Sequence, residues 1–119
     1  MHFSENKPIY LQITEYFYDQ ILTKKWVDGD NIPSVRKIAV LMEVNPNTAL
    51  RAFHELENHG IVSSKRGIGY FITEDAYDIV LKIKKKEFFD SILPPLFKDM
   101  KLLNISFEEL QALYHSEND

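Results

Sequence analysis

A chain of 119 residues has room for one core, as a single domain or a small domain with an appendage. Its hydrophobic share of 45% is that of a folded protein, no apolar run approaches the roughly 20 residues a bilayer span requires, and the absence of cysteine excludes disulfides and thiolate metal sites. A formal net charge of −4 argues against indiscriminate coating of nucleic acid.

The opening stretch Met1 to Pro8 has neither the basic region nor the apolar core of a secretory signal, so a cytoplasmic location is expected. From Pro8 onward Ile9, Ile13, Tyr16, Phe17 and Ile21 recur near one face, with Gln20 and Leu22 at its margin, which predicts an amphipathic helix opened by proline. Thr23 to Pro33 carries the turn signal Asp28-Gly29-Asp30 and closes on proline, so it reads as a loop with Trp26 and Ile32 turned inward. Ser34 is a candidate N-cap for a short second helix whose buried side is Val35, Ile38, Ala39, Leu41 and Met42, with Arg36 and Lys37 pointing away.

The next helix has both ends specified. Asn45 suits the N-cap, Pro46 the first helical position and Gly60 a left-handed residue past the end. Ala49, Ala52, Phe53 and Leu56 form its buried stripe, leaving Asn47, Thr48 and Arg51 outward, together with Leu50 and His54. An amide such as Asn47 can bond base edges or phosphates, and Arg51 can fork onto guanine or phosphate. The same residues also suit an ordinary solvated face. A short helix, a few turn residues and a capped helix are the spacing of a helix-turn-helix. Between Ser34 and Thr48 the sole acid is Glu43, so a local basic face sits inside an acidic chain.

Ile61 to Ser64 reads as a strand, Lys65 to Gly69 as a turn with two cations and two glycines, and Tyr70 to Thr73 as the returning strand. Such a hairpin can approach a phosphate backbone closely and place Lys65 or Arg66 in a minor groove. A surface hairpin whose charges only solubilise it is the alternative.

Beyond Glu74, a helical pattern starts near Asp75-Ala76 and carries Ile79, Val80, Ile83, Phe88, Phe89, Ile92 and Leu93, with cations at Lys82 and Lys84 to Lys86. Pro94-Pro95 should break or kink it, Leu96 to Leu103 resumes the pattern, and Asn104 is a reasonable stop. Ser106-Phe107-Glu108-Glu109 is a capping box for a last helix with Leu110, Leu113 and Tyr114, and His115 to Asp119 should fray. So many large apolar residues in so short a segment call for a twofold partner, although some can pack back on Ile9, Tyr16 and Phe17. His2, His54, His59 and His115 lack metal-ligand spacing, and no serine or threonine sits in a nucleophile motif, so neither enzymatic chemistry nor a cofactor or metal is expected.

The strings Pro8-Ile9-Tyr10-Leu11-Gln12-Ile13, Pro33-Ser34-Val35-Arg36, Val44-Asn45-Pro46-Asn47-Thr48, Glu55-Leu56-Glu57, Gly60 and Arg66-Gly67-Ile68-Gly69-Tyr70-Phe71 together resemble the GntR family of bacterial transcription regulators, over about residues 8 to 73. The resemblance implies an α+β, mostly α fold: a winged helix-turn-helix domain over residues 1–74 followed by a short α-helical dimerisation tail over 75–119. It implies a homodimer on a pseudo-palindromic double-stranded DNA operator, with repression as the expected sense. Ser34 and Arg36 would make contacts at the second helix, Asn45, Asn47, Thr48 and Arg51 would sit on the recognition helix, and Lys65, Arg66, Gly67 and Gly69 would form the wing tip. Leu50 is a departure, since relatives often carry a polar or basic residue there; a thymine methyl is one apolar contact it could make. The short tail is similar to that of the YtrA group, whose genes are often associated with membrane transporters. A small-molecule effector is compatible with this resemblance, but no residue cluster marks a site for one. The alternative function is a winged-helix adaptor for a protein partner without specific DNA binding, suggested by the acidic total and Leu50.

Overall fold

The computed structural model describes residues 7 to 118. His2 and the stretch read above for a secretory signal, up to residue 6, lie outside the described residues, as does Asp119. The chain is mostly helical with one two-stranded antiparallel sheet, the α+β class expected from the sequence. Its contacts group it into two compact units, Met1–Lys82 and Ile83–Asp119. No helix among the described residues is long and apolar enough to cross a membrane.

Helix α1 spans Ile9–Leu22, its first turn anchored by Leu11 and Gln12 N–H groups donating to the Pro8 carbonyl. Ile13, Phe17, Tyr18 and Ile21 are buried, whereas Ile9 is 48% exposed, so the apolar face begins one turn later than its pattern implies. Gln12 and Thr14 are buried polar residues whose side chains donate to the carbonyls of Lys7 and Leu11.

Helices α2 (Val35–Met42) and α3 (Pro46–Asn58) form the helix-turn-helix. Both caps read from the sequence are present: Ser34 Oγ accepts from the Lys37 N–H at 3.2 Å, and Asn45 Oδ1 from the Asn47 N–H at 2.7 Å. Between the helices Glu43 adopts a left-handed conformation with φ 56°. The buried stripe of α3 is the expected one, Ala49, Ala52, Phe53 and Leu56. That of α2 is narrower. Leu41 is 60% exposed, contrary to its expected burial, because Ile38, Ala39 and Met42 define a stripe from which Leu41 is rotated by more than a quarter-turn.

Both α1 and α2 pack on α3. Phe53 is central, meeting Phe17 edge to face at 5.3 Å and Tyr70 at 4.7 Å, while Trp26 covers Phe17 at 5.0 Å. These T-shaped contacts tie α1, the following loop, α3 and the sheet into one core.

The wing consists of β1 (Val62–Lys65) and β2 (Gly69–Ile72), paired from Val62 with Ile72 to Lys65 with Gly69. Because Lys65 and Gly69 belong to the ladder, the turn is the three residues 66–68, shorter than the five residues expected. The loop after α1 extends the sheet: Asn31 bridges Phe71, Ile32 N–H donates to the Tyr70 carbonyl, and Ile72 N–H donates to the Asp30 carbonyl. Gly60, at φ 78°, ends α3 as expected, and Thr73 Oγ1 donates to its carbonyl at 2.6 Å.

Helix α4 spans Ala76–Glu87, with Ala76 and Val80 buried. In the second unit a π-helical segment, Phe88–Ile92, leads into α5 (Leu93–Leu102), and Pro94 and Pro95 occupy the first turn of α5. Neither proline has an N–H for the carbonyls of Asp90 and Ser91, and the ladder ahead of them widens, with Leu93 N–H donating to the Phe88 carbonyl. The expected break is therefore a change of helical pitch. Asn104, at φ 57°, stops α5. Glu109 N–H donates to Ser106 Oγ and Ser106 N–H to Glu109 Oε1, the two halves of the capping box that opens α6 (Phe107–Asn118). Helix α6 runs on through His115 to Asn118, residues expected to fray.

Candidate nucleic-acid interface

Every residue singled out above for DNA contact lies in the first unit. Asn47 and Arg51 are exposed on the outer face of α3 and Thr48 is half-buried beside them. These three line a cleft of about 410 Å³ with Pro8, Ile9 and Tyr10 from the start of α1. The Arg51 guanidinium carbon sits over the Tyr10 ring, 3.9 Å from its centroid. Leu50 also faces outward, 36% exposed, an apolar patch within the polar face.

A second cleft, of about 400 Å³, is lined by Asn31, Ile32, Pro33, Ser34, Lys37, Ile68 and Gly69. It brings the N-terminus of α2 beside the wing, joining Ser34 to Gly69. Arg36, Asn45, Lys65, Arg66 and Gly67 line neither cleft but are all exposed. The Ser34 and Asn45 side-chain oxygens are occupied as caps, so their contribution to a bound chain would come through remaining lone pairs and their fixing of the helix starts.

The wing tip is built for close approach. Gly67 has φ 78° with open space where a Cβ would stand, and Gly69, at φ 133°, would place a Cβ 3.4 Å from Asn31 Oδ1. Lys65 Nζ lies over the Phe71 ring at 4.4 Å. Behind the wing, Ser64 Oγ donates to Glu57 Oε2, and burial, followed by the Glu57 charge, pushes the Tyr70 phenol above its ordinary pKa and keeps it neutral. Arg36, Lys37, Arg51, Lys65 and Arg66 thus present positive charge, while Glu43 in the turn is exposed.

Three contributors escaped the sequence reading of this surface, Tyr10, Asn31 and Phe71, while Lys37 was read as part of the basic face without a contact of its own. Tyr10 stands in the Pro8-Ile9-Tyr10 string, but helical periodicity cannot tell which residue of a separate helix reaches Arg51. Among the described residues no three His, Asp or Glu side chains converge as a metal site.

Residues 9–72 match the family model described as bacterial regulatory proteins of the gntR family. The chain is 42% identical over 108 residues to the HTH-type transcriptional regulator YhcF of Bacillus subtilis (strain 168), covering 91% of this chain and 88% of the relative. It is 42% identical over 69 residues to the HTH-type transcriptional repressor YtrA of the same organism, covering 58% of this chain and 53% of that one. A GntR family transcriptional regulator from Listeria monocytogenes superposes with a TM-score of 0.75 at 33% identity, over 96% of this chain and 98% of the other. The match runs through the caps, the buried stripe of α3 and the wing that expose this basic face, and the chain accordingly belongs to the GntR family of bacterial regulatory proteins, transcription regulators with a DNA-binding helix-turn-helix.

Proposed function

We propose that the chain acts in the bacterial cytoplasm as a homodimeric repressor of a pseudo-palindromic operator, with transporter genes as the target class the YtrA resemblance implies. Each protomer sets α3 in a major groove through Asn47, Thr48 and Arg51, braces α2 on the backbone through Ser34 and Arg36, and lays the tip of residues 65–69 along the neighbouring groove. The observation that carries this reading is the exposure of Arg36, Asn47, Arg51, Lys65 and Arg66 around capped helix starts and a glycine-bearing wing tip, in a chain that is acidic overall. The naming of the Bacillus relative YtrA as a repressor supports the sense of regulation.

The tail supplies the dimer. Phe88, Phe89, Ile92, Phe97, Leu102, Leu103, Phe107, Leu113 and Tyr114 are all exposed, and Leu102 and Leu103 are 72% and 68% accessible, more apolar surface than an isolated helical segment keeps in water. A symmetric partner covers the same patch on both copies.

The test is equilibrium binding to DNA upstream of the chain's own gene, and to duplexes selected from a random pool, at two salt concentrations against a scrambled competitor. Selective binding should fall with a log-log salt slope on the order of −4 to −8 for the dimer. Absence of any selected duplex would overturn the reading. It would favour instead the adaptor function, which the exposed Val40, Leu41 and Leu50 on the helix-turn-helix would serve as a docking patch.

A further inference from the structure

We propose that Tyr10 is a positioning residue for DNA recognition, its ring holding the Arg51 guanidinium in the orientation it uses on DNA; the inference rests on the DNA-binding reading above. Arg51 is exposed, and an exposed arginine ordinarily loses much side-chain freedom when it docks. Here the guanidinium carbon already stands 3.9 Å from the Tyr10 ring centroid, well inside the range of a cation–π contact. A carboxylate partner would consume the N–H donors of Arg51. A ring face does not, because it meets the guanidinium through its π electrons and leaves donors available to phosphate oxygens or to the O6 and N7 of guanine.

The placement is rigid on both sides. Tyr10 lies on the first turn of α1 and Arg51 in the middle of α3, and the two helices pack through Phe17 against Phe53. The cleft lined by Tyr10, Asn47, Thr48 and Arg51 therefore belongs to two helices locked by the core. A helix face built on such elements is presented in one geometry, which lowers the ordering cost of binding.

Two measurements test the proposal. In the free protein, the Arg51 side-chain Nε–H resonance should show an upfield ring-current shift in the wild type and in Tyr10→Phe, lost in Tyr10→Leu. On a duplex that the wild type selects from a random pool, Tyr10→Leu should weaken binding about 5- to 20-fold, and Tyr10→Phe by less than about twofold. In an Arg51→Ala background the Tyr10→Leu effect should vanish, since the ring then has nothing to position. Equal losses from Tyr10→Phe and Tyr10→Leu would assign the effect to the hydroxyl and overturn the proposal, as would an undiminished Tyr10→Leu effect without Arg51. Should Tyr10→Leu fail to fold, Arg51→Lys serves, keeping the charge and removing the planar group; unchanged affinity in that variant overturns the proposal. A missing ring-current shift would remove the stack itself while leaving the regulator reading intact. A shift without any selected duplex would instead remove that reading and, with it, the role of the stack.

Discussion

Phe53 lies between the two demands on α3, with no exposed surface and an aromatic ring on either side, Phe17 of α1 and Tyr70 of the wing. Truncation leaves a cavity that three elements would have to move to fill, so Phe53→Ala should cost about 3 to 5 kcal/mol of stability in a urea titration. The opposite behaviour is expected at the exposed cations. Arg36 and Arg66 are exposed, and as a hypothesis Arg36→Ala and Arg66→Ala should each weaken operator binding by about 1 to 3 kcal/mol with an unchanged unfolding midpoint. Full affinity in either variant would remove that residue from the interface. The burial of Phe53 was legible from spacing alone, because a helix has one 3.6-residue period and Ala49, Ala52, Phe53 and Leu56 all keep it. The ring that meets Arg51 was not legible, because the contact joins positions 10 and 51 on separate helices.

Local chemistry sets the ends of the elements. Ser34, Asn45, Gly60, Asn104 and the Ser106–Glu109 box all occupy the terminal positions their residue types favour. Loss of the Ser106 hydroxyl in Ser106→Ala orphans the Glu109 N–H and should destabilise the second unit by about 0.5 to 2 kcal/mol, visible as faster amide exchange in the first turn of α6. The turn of the helix-turn-helix is the exception. Glu43 occupies φ 56°, where a Cβ is unfavourable, and its side chain is the one acid between Ser34 and Thr48. Glu43→Gly should therefore raise stability by up to ~1 kcal/mol, measured by the shift in denaturant midpoint. An unchanged or lower midpoint would show that unfolded-state entropy outweighs the relieved strain. Less of α2 was readable: eight residues give only two turns, too few for its pattern to exclude Leu41 from the buried stripe.

At the scale of the molecule, the dimer proposed through the tail would decide whether one recognition helix or two meet the DNA. A single helix-turn-helix reads a few base pairs, whereas a dimer links two half-sites and makes the second contact intramolecular. As a hypothesis, the joint substitution Phe89→Asp and Leu103→Asp places charge in the exposed apolar surface and should convert a dimer to a monomer in sedimentation, with operator affinity falling at least about tenfold. A wild type that sediments as a monomer at micromolar concentration would refute the dimer. These residues lie on the surface of the folded chain, so the double variant should keep its helical content.

Residue order alone specified the helix-turn-helix, its caps and the wing, since each is written in local signals: a capping side chain, a 3.6-residue stripe, a glycine where φ turns positive. The same local code placed the cations in order along the chain. Which of them share a surface was settled only in three dimensions, where packing of α1 on α3 set Tyr10 against Arg51 and the loop at Asn31 closed the sheet beside Gly69. The widening of the helix before Pro94 was likewise decided by the folded backbone. Missing N–H groups foretell that a ladder must change, but the surrounding backbone determines whether it breaks, kinks or opens into a wider turn.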